Sequence, residues 1–423
     1  MNHPQTRREC LCNIGKLGVL GISASLFPAW MPRLAFSAPG QSTNGDVLVS
    51  IFLRGGLDGL AAVAPYTDGA YYYDPRPTTA VPAPGSTNGG INLDGQFALH
   101  PSLGPFKTLY DAGQLAIVHA CGSIDPSRSH FDAMQFMEYG IPGNKTVGVG
   151  WIGRHLASAP WQNDSPLRAV GIGSLLQTSL RGPVSALALE SIASFHLRGR
   201  GDQLEKIRQT LSALYEVNAP VDPLGSEAKL LFDTIDTLQT LSDTEYQPAN
   251  GATYPDTDLG RGLRQIAQLI KADLGLETAC VDTGGFDTHE TQGTIGGDFA
   301  NLMSRLAQAL AAFHTDLGAM MGNVCVVVMS EFGRRVGENG SRGTDHGHGN
   351  VMFVLGGGVN GGQVFTDWPT LAPNAQDDGD LAITIDYRDV LAEIVQHRLL
   401  NPNVAQVFPG YTPGALGIVQ PKA

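Results

Sequence analysis

Asp345, His346 and His348 fall within four positions of a Gly-rich segment, GTDHGHGN (343–350), and Glu331 stands shortly before them in SEFGRR (330–335). Carboxylates and imidazoles at this density suit a hydrolytic divalent metal, for which they are the ordinary oxygen and nitrogen donors. The competing reading is a polar loop whose histidines only solvate it. Position favours the metal. Glu331 closes the run VCVVVM (324–329), which is apolar without alternation and predicts a strand buried on both faces. Open α/β sheets bind their ligands at the carboxyl ends of such strands.

Other clusters follow other apolar runs. Asp58 comes after DVLVSIFL (46–53), and Asp287-Thr-His289-Glu290 after TACVDT (278–283). Ser127-Arg128-Ser129-His130 opens a segment of helical spacing that follows LAIVH (115–119). Taken singly, Asp58 reads as a turn residue and Ser129 as a helix N-cap. Taken together, four strand ends deliver polar groups to one edge. A hydroxyl at a helix start sits among free N–H groups at the positive dipole end, which favours an alkoxide and the oxygens of a phosphate or sulfate. Ser129 is therefore the candidate nucleophile, with Ser127 as its alternative. Arg128 and Arg334 are candidate forks for the same anion. The candidate metal ligands are Asp58, Asp287, His289, Glu331, Asp345, His346 and His348, for one or two divalent ions: zinc first, with calcium, magnesium or manganese as alternatives.

The elements that must carry these groups alternate. Strands are predicted at 46–53, 115–119, 278–283, 324–329 and 351–355. Helices are predicted at 103–112, 129–139, 201 to about 241, 263–274, 299–317 and 387–399, the last capped by Asp386. A Gly-, Pro- and Tyr-rich loop is expected from about 64 to 95. Strands alternating with helices mean βαβ units, so the fold class is α/β with a mostly parallel central sheet and helices on both faces. Residues 39–423 read as one domain with a helical insertion near 200–262. The remaining histidines have plainer readings: His119 as a buried, satisfied imidazole in preference to a group supporting a metal ligand from behind, His397 as a helix-face residue, and His100, His155, His196 and His314 without neighbours that argue for ligation.

The amino terminus bears on compartment. Arg7-Arg8 precedes a modest apolar segment (17–27), and the stretch closes on small residues before Pro39. This is the pattern of a twin-arginine export signal over residues 1–38, too short for a stable membrane anchor. The expected location is periplasmic or extracellular. Cys10 and Cys12 would leave with that signal, so Cys121, Cys280 and Cys325 remain, with Cys280 and Cys325 inside apolar runs as buried thiols. The formal charge of −13 becomes about −16 without the first 38 residues. An acidic chain argues against nucleic acid or an anionic membrane as partner. It leaves room for a small anionic ester, because a metal ion reverses the local field. The sequence leaves any protein partner unidentified.

The words FLRGGLDGL, RSHFDAMQFME, GGFDTHETQ and SEFGRRVGENGSRGTDHGHGN resemble an exported bacterial family, domain-of-unknown-function family 1501, over nearly the whole mature chain. More distantly, the order of strand-Asp58, helix-start Ser, Asp287-x-His289, strand-Glu331 and late His resembles the alkaline phosphatase and sulfatase superfamily. That resemblance implies an alkaline-phosphatase-like fold, two metals, and hydrolysis of phosphate or sulfate esters. Two departures stand out. Glu331-Phe332 replaces the superfamily's Asp-His, so His130 or the extra histidine of the 345–348 loop stands in for it, or one metal binds. Ile124 sits two residues before Pro126-Ser127-Arg128, where a formylglycine sulfatase carries Cys or Ser. The alternative function is a non-catalytic exported binding or assembly protein with the same fold.

Overall fold

The computed structural model describes residues 45–161, 163–197, 201–214, 223–243 and 245–422. The export signal read at 1–38 lies outside them. Among the described residues the central sheet holds nine strands: β1 (Val47–Leu53), β2 (Leu115–Gly122), β3 (Ala169–Ile172), β4 (Leu187–Leu189), β5 (Thr278–Thr283), β6 (Val324–Ser330), β7 (Asn350–Gly356), β8 (Val364–Phe365) and β9 (Ile385–Asp386). Their order is β8-β2-β7-β6-β1-β5-β3-β4, with β9 also paired to β2. β1 lies parallel between β5 and β6, with Ile51 opposite Val281 and Val328. β7 alone runs against its neighbours, antiparallel to both β2 and β6. The sheet is thus mostly parallel, as expected, and the reversal of β7 has a consequence for the site. The 343–349 loop lies in the return from β6 to β7 and leads into the start of β7, which, with β7 reversed, leaves it at the carboxyl edge of the parallel strands.

The alternation of side chains along each strand builds two cores. Val49, Ile51 and Leu53 face one layer with Val326 and Val328, while Leu48 and Phe52 face the other with Val327 and Met329. Because both faces are covered, these strands carry no polar alternation, and fully burying each Val contributes roughly 1.5–3 kcal/mol. Among the described residues the α-helices of two turns or more are α1 (Gly104–Asp111), α2 (His130–Tyr139), α3 (Trp151–Ser158), α4 (Gly201–Leu214), α5 (Pro223–Ser242), α6 (Asp258–Lys271), α7 (Asp298–Leu317) and α8 (Tyr387–His397). α1, α6 and α7 cover the first face with Phe106, Leu263, Ile266 and Phe313. α2, α3 and α8 cover the second with Met137, Trp151, Tyr387 and Ile394. Helices on both faces give a three-layer α/β/α sandwich.

Some elements differ from expectation. The helical region read from 201 to about 241 contains α4 and α5, and the helix read from 263 begins at Asp258, capped by Thr257. The loop expected at 64–95 contains strand Ile91–Asn92 and begins at strand Val63–Ala64; with Ala98–Leu99 they form a small antiparallel sheet. Two-residue strands carry no readable period. β3, β4 and α3 were not anticipated either, for they are short and lie in a Gly- and Ser-rich stretch. Cys121, Cys280 and Cys325 are free and buried. Among the described residues no helix is long and apolar enough to cross a membrane.

Candidate metal centre

Four loops meet at the carboxyl edge beside β1. The segment after β1 approaches the one after β5 so closely that a Cβ on Gly55, whose φ is +120°, would lie 2.6 Å from the Asp287 nitrogen. The 343–349 loop folds over both. A Cβ on Gly343 would fall 2.2 Å from the His289 carbonyl carbon. These glycines let the backbones touch, and the contact brings the chemistry-bearing side chains together.

Asp287 is the centre. Its Oδ1 lies 2.9 Å from His289 Nε2 and 3.2 Å from His346 Nε2, and its Oδ2 lies 3.4 Å from His130 Nε2. His289 Nε2 and His346 Nε2 are 2.9 Å apart. Behind each ring stands an acceptor for the other nitrogen: Glu331 Oε1 at 2.7 Å from His130 Nδ1, Asp345 Oδ1 at 2.9 Å from His289 Nδ1, and the Arg128 carbonyl oxygen at 2.8 Å from His346 Nδ1. Those partners assign the proton to Nδ1 in each ring, which leaves the three Nε2 lone pairs facing Asp287. Acceptors this close repel one another unless a proton or a cation sits among them.

The donors suit a divalent cation. His130, Asp287 and His346 each offer one atom, all within 4.8 Å of one another. His130 Nε2 is buried without a hydrogen-bond partner. His346 Nε2 faces Oδ1 of the carboxylate at 3.2 Å and His130 Nε2 faces Oδ2 at 3.4 Å, so the two rings approach different oxygens of the same group. Carboxylate or carbonyl oxygens behind the imidazoles are the usual orienting partners of metal-binding histidines. The centre opens to solvent on the Asp287 and His289 side, where those side chains are 46% and 38% exposed.

Electrostatics agree with that arrangement. Burial alone would raise the Asp287 carboxyl, but the bonds from Arg334 and His346 outweigh it and hold the pKa at about 2. Burial would likewise raise Glu331; the His130 bond and the Gly55 N–H outweigh it and lower its pKa. The Glu331 hydrogen bond raises His130 against its burial, and burial lowers His346. Asp345 is lowered by its bonds to Asn339 and His289. The carboxylates are thus held towards their charged form and His346 towards its neutral form, as ligation requires, while Glu331 favours the charged form of His130.

The structure brings Asp287, His289, Asp345 and His346 together, and joins Glu331 to them through His130. It does not bring in Asp58 or His348. Asp58 is buried and caps the one-turn helix Gly59–Ala62; its Oδ2 accepts from Arg76 Nη1 at 2.8 Å and from Gln292 Nε2 at 2.6 Å. Its charge is already neutralised, so the expectation of a ligand there is corrected. His348 turns to Asp377 Oδ2 at 2.6 Å and the Asp125 carbonyl at 3.2 Å. Arg334, expected as an anion fork, is fully buried. Its guanidinium donates to the carbonyls of Gly55, Gly56, Phe286 and Thr344 and to Asp287 Oδ1 at 2.7 Å. It sews the loops and holds Asp287. Arg128 is paired to the buried Asp380. Ser129 is the N-cap of α2, exposed, with its side chain making no cap bond. It lies between Arg128 and His130, both of which touch the centre.

Sequence reasoning named His130 only as a substitute ligand; its place at the start of α2 was the available signal. Arg76, Gln292 and Asn339 went unnoticed, since nothing about a lone Arg, Gln or Asn in a loop marks it. His119 is the satisfied imidazole expected: Nε2 is 2.9 Å from the Val63 carbonyl and Nδ1 accepts from Ala120 N. Asp386 caps α8 by accepting from Arg388 N.

The chain belongs to the family described as "Protein of unknown function (DUF1501)", which matches residues 46–410. No curated protein matches its sequence. Among solved structures it is similar to the PH0037 protein from Pyrococcus horikoshii, at 12% identity and TM-score 0.33 over 88% of this chain and 99% of that one. It is similar to the C-terminal periplasmic domain of EcEptC from Escherichia coli in complex with Zn, at 10% and 0.39 over 91% and 92%. It is also similar to alkaline phosphatase from the Antarctic bacterium TAB5, at 12% and 0.29 over 74% and 92%.

Proposed function

We propose that this member of family DUF1501 is an exported, metal-dependent hydrolase of small phosphate or sulfate esters, working with one divalent cation at the Asp287 centre. The observation that carries the reading is the set of three imidazole Nε2 atoms turned on one half-exposed carboxylate at the carboxyl edge of the sheet. Asp287 and His346 are common to two sets of three donors, one completed by His130 and the other by His289. A bound divalent cation supplies Lewis acidity and neutralises charge building on the transferred group. The protein's own groups do the rest. Arg334 fixes the Asp287 carboxylate, and Glu331, Asp345 and the Arg128 carbonyl fix the three rings. Ser129 presents a hydroxyl at the positive end of α2 as the proposed nucleophile, and Arg128 at the rim is the group within the same segment that can meet an anion.

A second reading has its own observation. Asp58, Arg128 and Arg334 are each already engaged in ion pairs or carbonyl bonds. A binding or assembly protein that keeps one structural metal would look the same. Metal analysis of the purified protein, alongside a panel of aryl phosphate and aryl sulfate esters, separates the two. Bound metal with turnover lost in Asp287→Ala supports the hydrolase. One tightly held metal without turnover supports the binding protein, and absence of any bound metal overturns both.

A further inference from the structure

We propose that Gln292 is a positioning residue for the metal centre, clamping the Asp287–His289 segment and the Thr344–His346 segment in register; the inference rests on reading that centre as metal-binding. The Gln292 side chain is fully buried. Its Nε2 donates to Asp58 Oδ2 at 2.6 Å, which assigns the opposite end of the amide as acceptor. That Oε1 accepts from two hydroxyls, Thr288 Oγ1 and Thr344 Oγ1, each at 2.8 Å. Thr288 lies between Asp287 and His289, and Thr344 immediately precedes Asp345 and His346. One amide therefore holds both ligand-bearing segments at once. The Thr344 N–H adds a backbone bond to the Thr288 carbonyl at 3.0 Å.

The clamp has a fixed anchor. Asp58 is held by Arg76, whose remaining donors go to the carbonyls of Val336 at 2.6 Å and Arg335 at 2.8 Å. That strand-like segment is continuous with Arg334, which holds Asp287. The chain of contacts Arg76–Asp58–Gln292–Thr288/Thr344 thus returns to the same carboxylate from the opposite side. Every polar atom of the Gln292 side chain is used, and Glu could not replace it, because a carboxylate oxygen would then face Asp58 Oδ2 in a buried site. A half-ångström change in either loop would spread the Nε2 atoms of His289 and His346, and the amide shares the task of holding the two loops with Arg334, which donates to both the Thr344 carbonyl and Asp287 Oδ1.

Cobalt titration of the full chain, followed by its visible absorption, tests the proposal beside thermal melts of the metal-free protein. Gln292→Met keeps the side-chain length without the amide. Thr344→Val removes the hydroxyl at equal volume, and Thr344→Ser restores it. Gln292→Met and Thr344→Val should weaken cobalt binding roughly 10–100-fold and shift the cobalt absorption bands, while Thr344→Ser stays close to wild type. The metal-free melting temperature of Thr344→Val should change little. If Gln292→Met does not fold, the Thr344 pair decides. Wild-type affinity and spectrum in Thr344→Val overturn the positioning role while leaving the metal centre intact. A wild-type chain that binds no cobalt overturns the proposed function itself.

Discussion

Three imidazoles and a carboxylate crowd one point, and each has a different task there. Asp287 and His346 belong to both donor sets, so their loss should be total. His130 and His289 each complete one set, so either alone leaves the other. His346→Ala and Asp287→Ala should each abolish metal binding, read by titration with zinc against a chromophoric competitor; His289→Ala and His130→Ala should differ, and whichever keeps wild-type affinity is not a ligand. Ser129→Ala should retain the metal and lose several orders of magnitude in turnover, as removal of a nucleophile does. Full activity in Ser129→Ala would move the chemistry to Ser127 or to water. Asp58 makes the opposite prediction. Both partners of its pair with Arg76 are fully buried, so Arg76→Met strands a charge and should cost about 3–5 kcal/mol in urea unfolding. A loss under about 1 kcal/mol would mean that the carboxylate finds another partner or a proton.

Strand ends do the positioning, and they were the most readable part of the chain. β1, β5 and β6 fall within a residue of their expected limits because runs such as VCVVVMS are apolar on both faces, as a strand covered on both sides requires. That placed Asp287, His289, Glu331 and His346 at one edge. The direction of β7 was not readable, since VMFVL is equally apolar whichever way it runs, and its short return from β6 is what aims the 343–349 loop. Nor was the fate of Asp58 readable: its partner Arg76 comes from a Pro-flanked loop that periodicity does not place. β2 carries a prediction of its own. His119 is fully buried in it, and burial holds its pKa at about 4, against about 6.5 when unfolded. Between those values the unfolded chain binds more protons, so the stabilisation is whole above about pH 6.5 and is lost as pH falls towards 4. From pH 7 to 5 the wild type should lose up to about 2 kcal/mol through this group, and His119→Gln should flatten that slope. An unchanged slope would show that His119 is not the group titrating; His155, lowered by burial to about 3, is another that loses stability in the same direction.

At the scale of the molecule, the proposed metal centre, tying four loops together, would link binding to folding. A ligand bound only by the folded state stabilises it by about 4 kcal/mol at a thousandfold excess over its dissociation constant, so chelation should lower the melting temperature by several degrees and one equivalent of zinc should restore it. The loops can close around the ion only once β1, β5, β6 and β7 are paired, because each contributes a segment. On the proposed reading metal loads onto the folded chain, and the proposed export would then need a route that accepts folded cargo. The Arg7-Arg8 pair ahead of a short apolar segment fits the twin-arginine route, whose signal is read by a receptor and does not act as an anchor. Changing the pair to Lys-Lys should leave full-length precursor in the cytoplasm, folded and already carrying metal, detectable by fractionation and by metal content of the retained protein. Normal export of the double variant, or export through the route for unfolded chains, would sink the assignment of the segment, and with it the argument that the metal is acquired before the membrane is crossed.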